Sequence, residues 1–205
     1  MITSKEMHML ESQSGIPISV LMENAGKAIA RVIKEKFDIK NLNVLIICYH
    51  GNNGGDGFVA ARYLCDECEV DILFLGDEEK LKKEPLAHYK KVEENVKIQF
   101  VDVEIDFDDY DIIVDAIFGT GFNGKLGEPI RGVIDTINKA KAKKVSIDVP
   151  SGMDPDTGEV PDITVDADLI IALHDIKKGI MAFENKTVIV NIGLPKKEES
   201  EDGFS

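Results

Sequence analysis

The residues of this chain best suited to chemistry are Gly51-Asn52-Asn53-Gly54-Gly55-Asp56-Gly57. Four of these seven are glycines, which let a ligand approach the backbone and leave positive φ open. The two asparagines and the aspartate add side-chain oxygens. A short β-branched run, Val44-Leu45-Ile46-Ile47-Cys48, comes before, as in a strand buried in a parallel sheet. A helical pattern, Phe58–Leu64, comes after. A strand, a glycine-rich turn and a helix start, in that order, aim unpaired amides and the positive end of the helix dipole at the turn, which suits a phosphate. The segment does not fit G-x-G-x-x-G, and no Lys-Ser/Thr follows it as in a P-loop. The bland alternative is a glycine-rich surface turn.

Two further segments share the pattern of an apolar run that ends in an acid and a turn. They are Asp115-Ala116-Ile117-Phe118-Gly119-Thr120-Gly121 and Asp148-Val149-Pro150-Ser151-Gly152. The elements that must position all three alternate along the chain. Strands are expected at 44–48, 70–75, 98–101, 112–115, 145–148, 169–173 and 188–192. Helices are expected at 57–65, 85–94 and 130–141, after a short helix at 4–14 and a longer one from Ile18 whose first turn Pro17 suits. This alternation predicts an α/β fold: a three-layer, doubly wound, mostly parallel, Rossmann-like sheet with an N-terminal helical extension. Ligands of such sheets bind beyond the carboxyl ends of the strands, where the strand order reverses. The first and fourth strands flank that crevice, so the three segments converge there. A lone strand-end Asp is more simply a turn cap. Asp115 and Asp148 together, with Asn53 and Ser151, instead make an oxygen-lined site that suits a hard cation rather than zinc. The approach to Pro150 predicts an extended backbone at Asp148.

The 205 residues are expected to form one domain over 1–195, followed by a polar tail at 196–205. The net charge of −14 disfavours nucleic acid. No apolar run approaches the roughly 20 residues of a membrane helix, and no basic-flanked leader is visible, so a soluble, cytoplasmic protein with no membrane partner is expected. Cys65-x-x-Cys68 is a single pair, too few ligands for structural zinc, and reads as a helix end leading into a strand. His8, His88 and His174 read as solvated or structural. His50, beside the glycine segment, is the one histidine placed to touch a ligand.

Taken together, the motifs resemble the NAD(P)H-hydrate epimerase family, the YjeF N-terminal domain. The segments that carry the resemblance are Leu21–Gly26, Gly51–Gly57 with Ala61-Arg62, Asp115–Gly121, Asp148–Asp154 with Asp156-Thr157-Gly158, Lys177-Lys178-Gly179, and Ile192–Pro195. They run in order through nearly the whole chain and resemble the stand-alone form, without a fused dehydratase domain. The resemblance implies an isomerase that interconverts the S and R epimers, at C6, of hydrated NADH or NADPH. A separate dehydratase would then act on the product. It implies a bound potassium ion with Asn53, Asp115 and Ser151 as ligands. It implies substrate contacts from Asn52, Asn53, Gly54, Gly55 and Asp56, then from Gly119, Thr120, Gly121, Phe122, Asn123, Gly124 and Lys125, and from Asp148. Lys177 aligns with a family lysine and is a candidate phosphate contact, whereas Lys178 reads as solvent-facing. A homodimer through Met7, Met9, Leu10 and the helix 18–37 is expected, on the resemblance and on their apolar surface.

The epimerisation needs an acid for the leaving hydroxyl and a base for the incoming water, and Asp148 is the first candidate for that shuttle. The rival reading is a non-catalytic nucleotide-binding or scaffold module on the same fold. A dehydrogenase is disfavoured by the missing dinucleotide fingerprint.

Overall fold

The computed structural model describes residues 1–101 and 105–195; the expected tail at 196–205 lies outside them. Seven parallel strands form one sheet: β1 (Asn43–Cys48), β2 (Glu69–Phe74), β3 (Lys97–Phe100), β4 (Ile112–Ala116), β5 (Lys143–Ile147), β6 (Leu169–Leu173) and β7 (Thr187–Val190). Their order is β3-β2-β1-β4-β5-β6-β7. The order reverses between β1 and β4, as expected, and the seven strands agree with the sequence reading to within two residues.

The strands alternate their side chains between two cores. Val44, Ile46 and Cys48 of β1 pack under α1 (Ser4–Gln13), α2 (Ile18–Lys36), α3 (Asn52–Leu64) and α4 (Lys83–Val92). Leu45 and Ile47 pack on the opposite face, with Ile130, Ile134 and Ile137 of α5 (Ile130–Lys139). Helices therefore cover both faces, and strands that are apolar on both sides follow from that burial. Pro17 sits at the N-cap of α2 rather than in its first turn. Cys65 caps α3 and Cys68 leads into β2, so the pair does mark a helix end before a strand. Among the described residues no helix is long and apolar enough to cross a membrane.

One expected element differs. The glycine segment is not a turn ahead of a helix at Gly57. Gly51 is the N-cap of α3, and Asn52–Gly57 form the helix's first turns. Asn and Gly are weak helix formers, so the local sequence reads as a turn, and tertiary packing overrides it. The glycines serve close approach rather than positive φ, which none of the four adopts. A Cβ on Gly54 would lie 1.8 Å from the Tyr49 carbonyl oxygen, and one on Gly57 would lie 2.7 Å from the Ala116 Cβ. The Leu21–Gly26 motif has a matching structural explanation. A Cβ on Gly26 would lie 2.3 Å from the Val59 Cβ. Glu23 accepts hydrogen bonds from Arg62 (2.5 Å) and Tyr63 (2.7 Å), and Asn24 donates to the Ile192 carbonyl (2.9 Å). These residues lock α2 to α3 and to the chain beyond β7, and so hold the N-terminus of α3 over the sheet.

Candidate functional site

A cavity of about 530 Å³ opens beyond the carboxyl ends of β1 and β4. The N-terminus of α3 contributes Asn52, Asn53 and Asp56, the segment after β4 contributes Gly119, Thr120 and Gly121, and Asp148 lies just past β5. The three segments singled out in the sequence therefore do meet. The first amides of α3 have no partner within the helix, whereas that of Gly55 is bonded to the Gly51 carbonyl (3.1 Å). Gly54 and Gly55 are buried against Tyr49 and Met22 and do not line the cavity. Nor do Phe122, Asn123, Gly124 and Lys125: Phe122 packs on Phe118 at 5.2 Å, and the other three are exposed. A larger groove of about 740 Å³ runs along α2 past Lys27 and Arg31. It holds none of the strand-end carboxylates, so the chemistry belongs to the smaller cavity.

Two further walls line the cavity, one not legible in the sequence and one expected only at His50. His8 and Glu11 of α1 close one side of the cavity. Tyr49, His50 and Phe118 form an aromatic wall, with the Tyr49 and His50 rings 3.9 Å apart and Phe118 edge-on to Tyr49 at 5.2 Å. Burial, then Lys80, lowers the His50 pKa, which keeps the ring neutral near pH 7, and its buried Nδ1 has no hydrogen-bond partner among the described residues. His8 is exposed, as expected, while His88 is buried 3.7 Å from Glu23, away from the cavity.

Asp115 is wholly buried in the middle of the sheet, where its register partner on β5 is Ser146. Its Oδ1 accepts hydrogen bonds from the Ile117 amide (3.2 Å) and the Ser151 hydroxyl (2.5 Å), and its Oδ2 from the Ser146 hydroxyl (2.8 Å) and the Ser151 amide (2.9 Å). These four bonds fill the lone-pair positions of a carboxylate. Burial raises its pKa while the Ser151 and Ser146 donors pull it back, and no basic side chain among the described residues pairs with it. Ser146 was missed in the sequence because nothing in an apolar strand marks a serine as the partner of an acid on its neighbour. The Ser151 hydroxyl also accepts from the Phe118 amide (2.9 Å), tying the β5 rim to the β4 rim. The buried Asn53 Nδ2 has no hydrogen-bond partner among the described residues. Its Oδ1 and Asp148 Oδ2 both face Gly119, at 3.3 and 3.2 Å from where a Cβ would stand. With its lone pairs filled, Asp115 offers a cation buried charge but no free oxygen, so of the three expected ligands only the neutral oxygens of Asn53 and Ser151 fit direct contact with a hard monovalent cation.

Asp148 is not extended. Its φ is +69°, in the left-handed region, which Asp tolerates better than most residues and which is often retained at functional sites. The proline constraint falls on Val149, the residue immediately before Pro150, and leaves Asp148 free to turn. Asp148 Oδ1 accepts from the Leu173 amide (3.1 Å) and is ion-paired with Lys177. Lys177 is fully buried and also donates to the Leu173 carbonyl (2.6 Å). It is therefore engaged internally and does not line the cavity as a phosphate contact. Asp56, also buried, has no side-chain hydrogen bond among the described residues. Burial foremost, then Asp148 and Glu11, push its pKa well above the usual carboxylate range. Glu11 is raised as well, by burial and then by Asp148.

A model of the family described as YjeF-related protein N-terminus matches residues 18–179. The chain belongs to that family. It is 35% identical to the NAD(P)H-hydrate epimerase of Nitrosopumilus maritimus, over 99% of each chain. It is 40% identical to the bifunctional NAD(P)H-hydrate repair enzyme Nnr of Methanopyrus kandleri over 95% of its own residues, but spans only 42% of that protein's length. The crystal structure of yeast ynu0 (YNL200c) matches with a TM-score of 0.80 and 26% identity, covering 98% of this chain and 97% of the other.

The raised Asp56 pKa gives a stability prediction. The folded state holds this proton more tightly than the unfolded chain, so stability falls as pH rises above the ordinary Asp value of about 3.9 towards the folded pKa. Asp56→Asn removes that cost. In thermal melts the variant is expected to be more stable than the parent at pH 7, by at least about 2 °C, with the gap closing near pH 4. A variant equally destabilised at both pH values would show that Asp56 is not strained in its ionised form.

Proposed function

We propose that this chain is an NAD(P)H-hydrate epimerase, which interconverts the S and R hydrates of NADH or NADPH at C6 of the reduced nicotinamide ring. The observation that carries this reading is a pair of buried carboxyls beside one cavity, Asp148 ion-paired with a lysine and Asp56 with no side-chain hydrogen bond or ion pair among the described residues. It occurs in a chain that matches, end to end, a relative named for that activity. Asp56 protonates the C6 hydroxyl as the lone pair on ring N1 forms a double bond to C6 and the C6–O bond breaks, releasing water. Water then adds to the opposite face of C6 and gives its proton to Asp148. Return of that proton from Asp148 to Asp56 restores both groups. Positioned acid–base help of this kind contributes roughly 10²–10⁴-fold. The first amides of α3 face the substrate's diphosphate, and the aromatic wall excludes water from its ring.

Asn53 and Ser151 would supply neutral oxygens to a potassium ion, and Asp115, whose lone pairs already accept four donors, would supply the opposing charge. When bound, the ion contributes positive charge against the diphosphate and orders the two strand ends. The protein is a cytoplasmic homodimer whose product passes to a separate dehydratase. Met7 is buried in the core and so would take no part in that interface. Met9 (45%), Ile18 (48%) and Val20 (44%) are exposed apolar residues of that region, and the proposed interface would cover them.

Three measurements test these statements. Chromatography of the two epimers is expected to show interconversion faster than the spontaneous background. Asp148→Asn should lose roughly 10²-fold or more in turnover, with substrate binding much less affected. A folded protein with no rate above background would instead favour the scaffold reading. Potassium is expected to raise the melting temperature of the parent over a bulky organic cation. Asp115→Ala should lose that response; an equal response in both proteins removes Asp115 from the ion site. Light scattering at micromolar concentration is expected to give twice the chain mass, and a monomer there overturns the dimer.

A further inference from the structure

Lys177 enters none of the steps above, yet it is the most completely enclosed basic group of the site. It follows β6 and its side chain is fully buried. Both contacts of its ammonium are inside the protein: Asp148 Oδ1 and the Leu173 carbonyl. A lysine is rarely buried in full unless paired, and removing one member of a buried pair leaves an uncompensated charge. The surrounding structure fixes where this ammonium can be. Ile2 forms a parallel bridge with Lys177, with the Ile2 amide bonded to the Ile176 carbonyl (3.0 Å). Behind it, the Gly179 amide donates to the Pro155 carbonyl (2.9 Å), and a Cβ on Gly179 would lie 2.4 Å from the Asp154 carbonyl oxygen. Asp154 in turn accepts from the amides of Asp156 (2.9 Å) and Thr157 (2.8 Å), which closes the turn that ends at Gly158. The Asp154–Gly158 and Lys177–Gly179 motifs thus form one socket around the backbone of Lys177.

The consequence falls on Asp148. A carboxylate at a left-handed backbone position, free to rotate, presents its two oxygens interchangeably. Here Oδ1 is held by the Leu173 amide and by Lys177, and Oδ2 stands towards Gly119 and Asn53 on the cavity side. We infer that Lys177 is a positioning residue that acts through Asp148: it anchors Oδ1 within the protein so that Oδ2 alone is offered to the substrate. The inference rests on the epimerase reading and adds a residue to it. It also explains why a lysine aligned with a family motif does not reach a phosphate.

The test is a double-mutant cycle in the epimer interconversion assay, using Lys177→Met, Lys177→Gln, Asp148→Asn and the doubly substituted chain Lys177→Met/Asp148→Asn. Each is first checked by near-ultraviolet circular dichroism and a thermal melt. The single Lys177 variants are expected to lose at least about 10-fold in kcat with KM changed less than about 3-fold, because the interaction lost is one made with the reacting group. Residues that act as a unit are not additive, so the double variant is expected to fall within about 3-fold of Asp148→Asn alone. It retains no unpaired buried charge, so it carries the comparison if a single Lys177 variant does not fold. A general structural role would lower kcat by the same factor on either background, and that additive result overturns the inference. So does a folded Lys177 variant with unimpaired kcat, or one whose loss lies in KM. An inactive parent protein overturns the epimerase reading and this inference together, whereas an active parent with an unimpaired Lys177 variant overturns this inference alone.

Discussion

The ion pair between Lys177 and Asp148 is the constraint around which the carboxyl ends of β5 and β6 are built. A charged pair out of water is tolerated only with good geometry and further hydrogen bonds. The Leu173 backbone supplies them from both of its polar groups, its amide to Asp148 and its carbonyl to Lys177. Those bonds require β6 to end beside the turn at Asp148, and that turn requires a positive φ at a residue with a side chain. They also require the segment after β6 to run close under the Asp154–Gly158 turn, which glycine at 158 and 179 permits. Two motifs that carry the family resemblance, including a lysine expected at a phosphate, are thus parts of one device for holding a single carboxylate.

The opposite side of the cavity depends on close packing instead. α3 sits so near β1, β4 and α2 that its first turns have no room for side chains at Gly54, Gly55 and Gly57. This costs helix propensity, roughly 1 kcal/mol for each glycine relative to alanine, and is offset by the apolar contacts of Phe58, Ala60, Ala61 and Leu64 with the core. The gain for function is position. The helix's unpaired amides and positive dipole end stand over the switch point of the sheet, where an anion fits, and Asn53 and Asp56 are carried to the cavity wall.

Charge gives the two sides a common logic. The chain carries a formal charge of −14, and Asp115 and Asp148 at strand ends and Asp56 in the first turns of α3 are all buried. Each is handled differently. Asp148 has a lysine, Asp115 has four hydrogen-bond donors, and Asp56 has neither among the described residues, so its burial favours the protonated form. Environments that separate the proton affinities of neighbouring carboxyls are what acid–base chemistry at neutral pH needs.

The sequence alone determined the layered parallel sheet, because strands apolar on both faces and alternating with amphipathic helices have few other solutions. It also determined which three segments meet, because the switch point of such a sheet is fixed by its order and the acids stand at strand ends. The tertiary structure decided what those residues do to one another. Helix propensity is a local quantity, so the start of α3 at Asn52 rather than Gly57 was not legible; contacts with Tyr49, Met22 and Ala116 set it. Hydrogen-bond partners that lie far apart in sequence, such as Ser146 with Asp115 and Lys177 with Asp148, leave no local pattern, since each partner satisfies the propensity of its own strand or loop. The same holds for Glu11, whose helix shows only which face is apolar, and whose place in the cavity wall follows from how α1 packs after the chain has folded.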